Sequence, residues 1–154
     1  MPNYTYTDAS NIQWNYTLDA SNNATIGTGV TASASATYLG TDLSGAITIP
    51  STVDGYTVTG IGQNAFYNCT SLVSIDLSGT QVTTIGSGAF VSCTSLTSIT
   101  VDANNNSFSD INGVLFNKDQ NTLIRYPQGK TATSYTFPDS VTTIDEQAFR
   151  DCSS

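Results

Sequence analysis

The sequence predicts an α/β solenoid with parallel strands on a concave wall, short helical turns on a convex wall, and an N-terminal β-hairpin cap. Three observations lead there. Residues 61–101 contain one unit twice: Ile61 and Ile85, Phe66 and Phe90, Cys69 and Cys93, Leu72 and Leu96, and Ile75 and Ile99 each stand 24 residues apart. Within the unit, Ile75 and Leu77 alternate with Ser74 and Asp76, the period of a half-buried strand. Ahead of that strand, Ala65, Phe66 and Cys69 fall at i, i+1 and i+4, so a short helix or 3₁₀ turn would carry them on one face. A unit this small cannot bury its apolar stripe alone, and copies must stack. Neighbouring strands sit about 4.8 Å apart and helices roughly twice that, so the stack is expected to curve with its strands inside.

The two copies, IGQNAFYNCTSLVSIDL and IGSGAFVSCTSLTSITV, resemble the I-G-x-x-A-F-x-x-C-x-x-L-x-x-I-x-L unit of the BspA-like leucine-rich repeats of bacterial and some protist surface proteins. The resemblance implies a right-handed leucine-rich-repeat solenoid. It also implies a non-catalytic, cell-surface or secreted module that binds a protein or glycan and adheres to a host. The alternative is a structural spacer or stalk within a larger surface protein.

Taken in order, the chain divides into a cap and connection (1–45) and repeats at 46–69, 70–93, 94–129 and 130–154. In the cap, Ile12, Trp14, Tyr16 and Leu18 alternate with polar residues, the pattern breaks at residues 19–23, and Ala24 and Ile26 resume it, as in a β-hairpin with one apolar face. Trp14 lies on the inward side, which favours core packing over a carbohydrate platform. Residues 27–36 are rich in Gly, Thr, Ser and Ala and read as an irregular connection. Ile47 and Ile49 begin a degenerate first repeat, with Ser44 standing where Leu72 stands later and Leu43 beside it.

After Val101 the step lengthens to 36 residues, from Ile99 to Tyr135. Residues 113–116 and 122–126 flank an Asn/Asp-rich turn and read as an inserted hairpin, before a strand at 135–137 and a last unit, VTTIDEQAFRDC. The insertion also resembles one that recurs in the family. Phe90 is expected between Phe66 and this unit. The chain stops inside a repeat, at residues 151–154, which points to a longer natural protein.

Composition narrows the function. Only 10% of the 154 residues are charged, and the net charge is −8. An acidic chain without a basic cluster argues against nucleic acid. No apolar run approaches the roughly 20 residues of a membrane span, so membrane insertion is not expected. No signal peptide precedes the polar β-like start, and given the family's surface location this points to a fragment without its leader or anchor. There is no histidine, which excludes Ser-His-Asp and Cys-His centres. Cys69, Cys93 and Cys152 hold one repeat position, each beside an Ala-Phe pair, and read as buried thiols rather than a metal site. Adjacent helical turns would hold them too far apart for a disulfide. Asp119 between Asn117 and Asn121 lacks the Gly and distal Glu of a calcium loop and reads as a turn. Asp145 replaces the unit's glycine and is expected to cap the N-terminus of the last short helix. The aspartates are scattered, so no glycosidase pair is apparent. No cofactor or metal site is predicted.

What remains as a candidate binding face is the outward row of the strands: Thr48, then Ser74 and Asp76, Ser98 and Thr100, Ser134 and Thr136. These are small and polar, without the aromatic and Arg anchors of tight interfaces. The partner class implied is an extracellular protein or glycan.

Overall fold

The computed structural model describes residues 2–27 and 43–152. Its strands are β1 (Tyr4–Thr7), β2 (Gln13–Leu18), β3 (Ala24–Ile26), β4 (Gly45–Thr48), β5 (Thr52–Val53), β6 (Tyr56–Ile61), β7 (Leu72–Asp76), β8 (Thr84–Ile85), β9 (Ser98–Thr100), β10 (Phe108–Ile111), β11 (Val114–Asn117), β12 (Thr122–Arg125) and β13 (Thr143–Ile144). Except for Gly27, the expected connection at 27–36 lies outside the described residues.

The repeat strands pair as predicted. β4, β7 and β9 form a parallel sheet in that order, with Ile47, Ile75 and Ile99 in one row and all buried. At the start of β4 a bulge shifts the register between Gly45 and Ala46. Leu43 enters the core and Ser44 stays exposed, which accommodates the missing apolar residue at position 44.

A second parallel wall carries the Ile-Gly steps. β3, β6 and β8 run side by side with Ile26, Ile61 and Ile85 in one row. Gly62 N donates to Ile26 O at 2.7 Å, and Gly86 N donates to Ile61 O at 2.9 Å. The N-terminal hairpin does more than cover the stack: β2 pairs with β1 on one side and β3 on the other, and β3 is itself a rung. Trp14 is fully buried there, its indole N–H donating to Asp8 Oδ2 at 2.8 Å, and Tyr16 donates its hydroxyl proton to Asp54 Oδ2 at 2.7 Å.

The predicted helical turns do not form; among the described residues there is no helix. Residues 63–69 instead make linked turns whose amides alternate in destination. Ala65, Tyr67 and Cys69 donate back to Gly62, Asn64 and Phe66, while Asn64, Phe66 and Asn68 donate across to Ser87, Ala89 and Val91 of the next coil at 3.1, 2.8 and 3.0 Å. The cause is backbone handedness. Asn64 and Asn68 (φ 55° and 62°) and their counterparts Gly88 and Ser92 (φ 71° and 60°) sit in the left-handed region, which an α-helix cannot contain. Face periodicity was therefore satisfied by a different conformer. Because this wall is also held at hydrogen-bond spacing, the disparity in wall spacing expected to curve the stack is absent from these coils.

The insertion is a three-stranded antiparallel meander of β10, β11 and β12, with β13 added parallel to β12. Its turn is closed by Asn117, whose Oδ1 accepts from Asn121 N and Thr122 N at 3.1 and 3.0 Å. β12 then takes the place of an Ile-Gly rung, with Asp145 N donating to Leu123 O at 2.9 Å as Gly86 N does to Ile61 O, and Tyr126, just after it, takes the place of Phe66: Tyr126 N donates to Ala148 O at 2.8 Å, the bond that Phe66 N makes to Ala89 O. The strand expected at 135–137 does not form. Ile99 N, which would have bonded to it, donates to Gly113 O at 3.0 Å, so the β10–β11 turn occupies the next rung.

Aromatic stacking follows the coils. Phe66 and Phe90 stack at 5.6 Å and 12°, and Tyr126 and Phe149 stack at 5.2 Å and 24°. Phe90 is buried, but its far side faces a cavity of about 280 Å³, lined also by Ile124 and Arg125, rather than a packed ring.

Candidate functional site

Three rungs of the predicted face exist. Ala46, Ser74 and Ser98 form one row across β4, β7 and β9, and Thr48, Asp76 and Thr100 form the next. Their alternation with Ile47, Ile75 and Ile99 turns them away from the core, and Thr48 and Thr100 are exposed while Ser74, Asp76 and Ser98 are half-buried. Two rung spacings of about 4.8 Å make this a patch only about 10 Å long. Ser134 and Thr136 are not part of it, since their segment is unpaired, and the β10–β11 turn stands where the fourth rung was expected.

Asp76, the one charge in these two rows, also serves the fold. Its Oδ1 accepts from Ser78 N at 2.8 Å and closes the turn after β7. Asp145 does likewise at the last coil, accepting from Gln147 N at 3.0 Å, a cap on a turn rather than on a helix.

The basic side chains are largely committed to carbonyls. Lys118 Nζ donates to Ala103 O at 2.9 Å and Lys130 Nζ to Asn112 O at 2.8 Å. Arg125 is 4% exposed and donates to Gln147 O at 2.7 Å and Arg150 O at 3.2 Å, tying β12 to the last coil. Burial pulls its guanidinium down from its ordinary pKa.

The cysteines are thiols placed by the repeat. Cys69 and Cys93 are buried and Cys152 is half-buried. Cys93 Sγ donates to Phe66 O at 3.0 Å, and Cys152 Sγ reaches Tyr126 O at 3.8 Å, the same relation one coil on. Burial pushes the Cys93 thiol up to about 11 and raises that of Cys152, the opposite of what a nucleophile or metal ligand needs. The coils are joined by direct backbone bonds, so the expectation that helical spacing separates the cysteines does not apply; the carbonyl bond orients Cys93 instead. Asn15 and Asn105, each the first residue of an Asn-x-Ser/Thr triplet, are buried, and Asn105 Nδ2 donates to Val82 O at 2.9 Å.

Two features escaped sequence reasoning. Ile26-Gly27 is a rung of the Ile-Gly wall, and the tripeptide Thr-Ile-Gly at 25–27, repeated at 84–86, was a usable signal. Residues 123–126 act as a coil while keeping neither Ile-Gly nor Ala-Phe, so only the aromatic at Tyr126 marked it.

Parallel rungs at a fixed step, an inward Ile/Leu row and stacked turns define a leucine-rich-repeat fold built of strands and turns. The chain belongs to the BspA type leucine rich repeat family, whose model matches residues 16–132 and 126–154 in 6 copies. This is a repeat family rather than an enzyme family. The match begins inside the segment expected to be a cap, where β2 and β3 lie. Among solved structures, a leucine-rich repeat protein from Eubacterium ventriosum is similar in fold at a TM-score of 0.56 and 22% identity, covering 99% of this chain and 58% of that one. The pneumococcal vaccine antigen PcpA is matched at 18% identity and a TM-score of 0.45, over 97% of this chain and 62% of that chain. A leucine rich cell surface protein from Faecalibacterium prausnitzii is matched at 21% and 0.42, over 99% and 69%. No curated protein matches. The chain thus spans little more than half the length of the Eubacterium protein.

Proposed function

We propose that the chain is a non-catalytic ligand-binding module of a bacterial surface or secreted protein. It engages an extracellular protein or glycan through the two adjacent rows that hold Thr48, Ser74, Asp76, Ser98 and Thr100 on the concave wall of a right-handed solenoid. The observation that carries this reading is the continuous register of β4, β7 and β9, which presents matched small polar side chains on one face while isoleucines fill the other. Membership of the BspA type leucine rich repeat family supports it.

The test is binding of this chain, and of a Thr48→Arg, Thr100→Arg variant, to an array of extracellular-matrix proteins and glycans. Both residues are exposed, so each substitution is expected to change the unfolding free energy by no more than the small amount typical of surface changes, about ±0.5 kcal/mol. Saturable binding that the variant loses supports an adhesive face. Equal binding by both removes the ladder from the reading, and no binding across the array favours the spacer.

A further inference from the structure

We propose that the cavity between the coil at 85–91 and the coil at 145–147 is a peptide-binding site, which takes one residue of an extended segment of a partner protein and prefers a basic side chain. The cavity follows from a break in the stack. On the Ile-Gly wall, Ile26 O accepts from Gly62 N and Ile61 O from Gly86 N, but the next such bond joins Asp145 N to Leu123 O and passes Ile85 by. β8 accordingly pairs with β6 along one edge, and no described strand pairs with its other edge. On the turn wall, Asn64, Phe66 and Asn68 donate across to the next coil. Among the described residues their counterparts Gly88, Phe90 and Ser92 donate to no backbone carbonyl, and the wall resumes only where Tyr126 N donates to Ala148 O. A cavity of about 280 Å³ lies at the break, lined by Gly88 and Phe90 from the first coil and by Arg125 and Gln147 from beyond it.

A side chain fills part of the break. Arg125 is 4% exposed, and its Nη2 donates to Arg150 O at 3.2 Å, the counterpart of the Val91 carbonyl that Asn68 N reaches. Its Nη1 donates to Gln147 O at 2.7 Å, but its buried Nε has no partner among the described residues, and neither has the buried Oε1 of Gln147. That oxygen stands against the open coil edge, since a Cβ on Gly88 would lie 3.5 Å from it. Folded proteins pair nearly all such buried groups, because each one left unpaired is costly. One N–H donor and one carbonyl acceptor on residues that line one cavity are the complement of a peptide group: its C=O accepts from Arg125 Nε and its N–H donates to Gln147 Oε1. The amides of Gly88 and Phe90 extend the same recognition along a backbone, as strand addition to an open edge does.

Size and charge narrow the ligand. The volume stands just below the ~300–1,000 Å³ of small-ligand sites, so the cavity admits one residue rather than a folded element. Of the lining residues, Asp145 and Glu146 are exposed carboxylates, and in a chain of net charge −8 they attract a cationic side chain and repel an anionic one. No residue of β4, β7 or β9 lines the cavity, so loss of peptide here and loss of ligand at the ladder are separately observable.

The experiment is an NMR titration of the whole chain, following backbone amides and the Arg125 Nε–H, with N-acetyl-lysine N-methylamide and, in parallel, with its norleucine and glutamate counterparts. Saturable shifts centred on residues 85–91, 124–125 and 145–147, with the Arg125 Nε–H moving among them, are the expected result. The norleucine compound should bind about threefold weaker and the glutamate compound weaker still. Gln147→Leu removes the acceptor at similar size. It should weaken the lysine compound by about threefold to tenfold, the weight of one hydrogen bond, while the melting temperature holds or rises because an unpaired buried oxygen is gone. Glu146→Gln should bring the lysine and norleucine compounds to within about twofold of each other. Each variant's amide spectrum reports its fold in the same experiment. No saturable shift, shifts mapping elsewhere, an unmoved Arg125 Nε–H, or affinity unchanged in Gln147→Leu overturns the peptide site. Equal or tighter binding of the glutamate compound overturns the basic preference and makes Arg125 a carboxylate site instead.

Discussion

The stacked rings of Phe66 and Phe90 make the coil register testable by energetics. Both are buried, and their centroids lie 5.6 Å apart with planes 12° from parallel. Truncation of a buried Phe to Ala costs about 3–5 kcal/mol. For a domain of this size that is a fall of about 6–20 °C in melting temperature. The contact itself contributes about 0.5–1.5 kcal/mol beyond burial, and this part appears only when both rings are changed. Two Ala substitutions together could exhaust a total stability of about 5–15 kcal/mol, so the cycle is better run with Phe66→Leu, Phe90→Leu and the double variant. Each single change should cost about 1–3 kcal/mol in urea unfolding, and the double change should cost less than their sum by about the stacking contribution. Additivity to within about 0.3 kcal/mol would mean the rings do not touch, and the 24-residue register across these coils would fall with it.

Other expectations follow from single contacts. A Cβ at Gly86 would lie 2.4 Å from Gln63 N, a backbone atom of the preceding coil, so Gly86→Ala should cost about 1–3 kcal/mol. Gly79→Ala, with nothing within 4 Å, should stay within about 0.5 kcal/mol in the same denaturation assay. Burial raises the Cys93 thiol from 9.0 to about 11 and, with Asp54, the Tyr16 hydroxyl from 10.0 to about 12. An acid with a raised folded pKa holds its proton more tightly folded than unfolded. Its contribution is therefore intact below the unfolded value and lost as pH rises through the folded one. Urea midpoints should fall between pH 9 and 12, and Cys93→Ser should flatten the lower part of that fall. Native Cys93 should also resist alkylation at pH 8 while Cys152, half-buried, reacts first.

How much of this was legible in the sequence depended on which interaction fixed each element. The β4–β7–β9 ladder was legible because one inward isoleucine per rung sets a period-2 register that any slip would invert. The cysteines were legible for a related reason: the thiols of Cys69, Cys93 and Cys152 each stand three residues after an Ala-Phe phenylalanine, and from that place Cys93 and Cys152 each meet a carbonyl of the preceding coil. Conformation between the strands was not legible from apolar spacing, since a helix and a chain of linked turns place Ala65, Phe66 and Cys69 on the same side. The deciding residues were polar. Asn64 and Asn68 in one coil, and Gly88 and Ser92 in the next, accept positive φ, and it is that choice which sends alternate amides across to the neighbouring coil.

The insertion shows the same principle at the candidate sites. A count of residues could say that the ladder was delayed by the hairpin, but not that the hairpin's own turn would take the vacant rung. That outcome rests on Gly113, which alone in its turn can press against Ser98, and on Asp110, whose Oδ1 accepts from Val101 N at 2.9 Å and whose Oδ2 accepts from Gly113 N at 3.2 Å. Together they dock β10 and β11 onto β9. The loss of Ser134 and Thr136 from the ladder therefore has its cause in this turn. A Gly113→Val substitution should undo that docking, while leaving the Phe66–Phe90 coils in register.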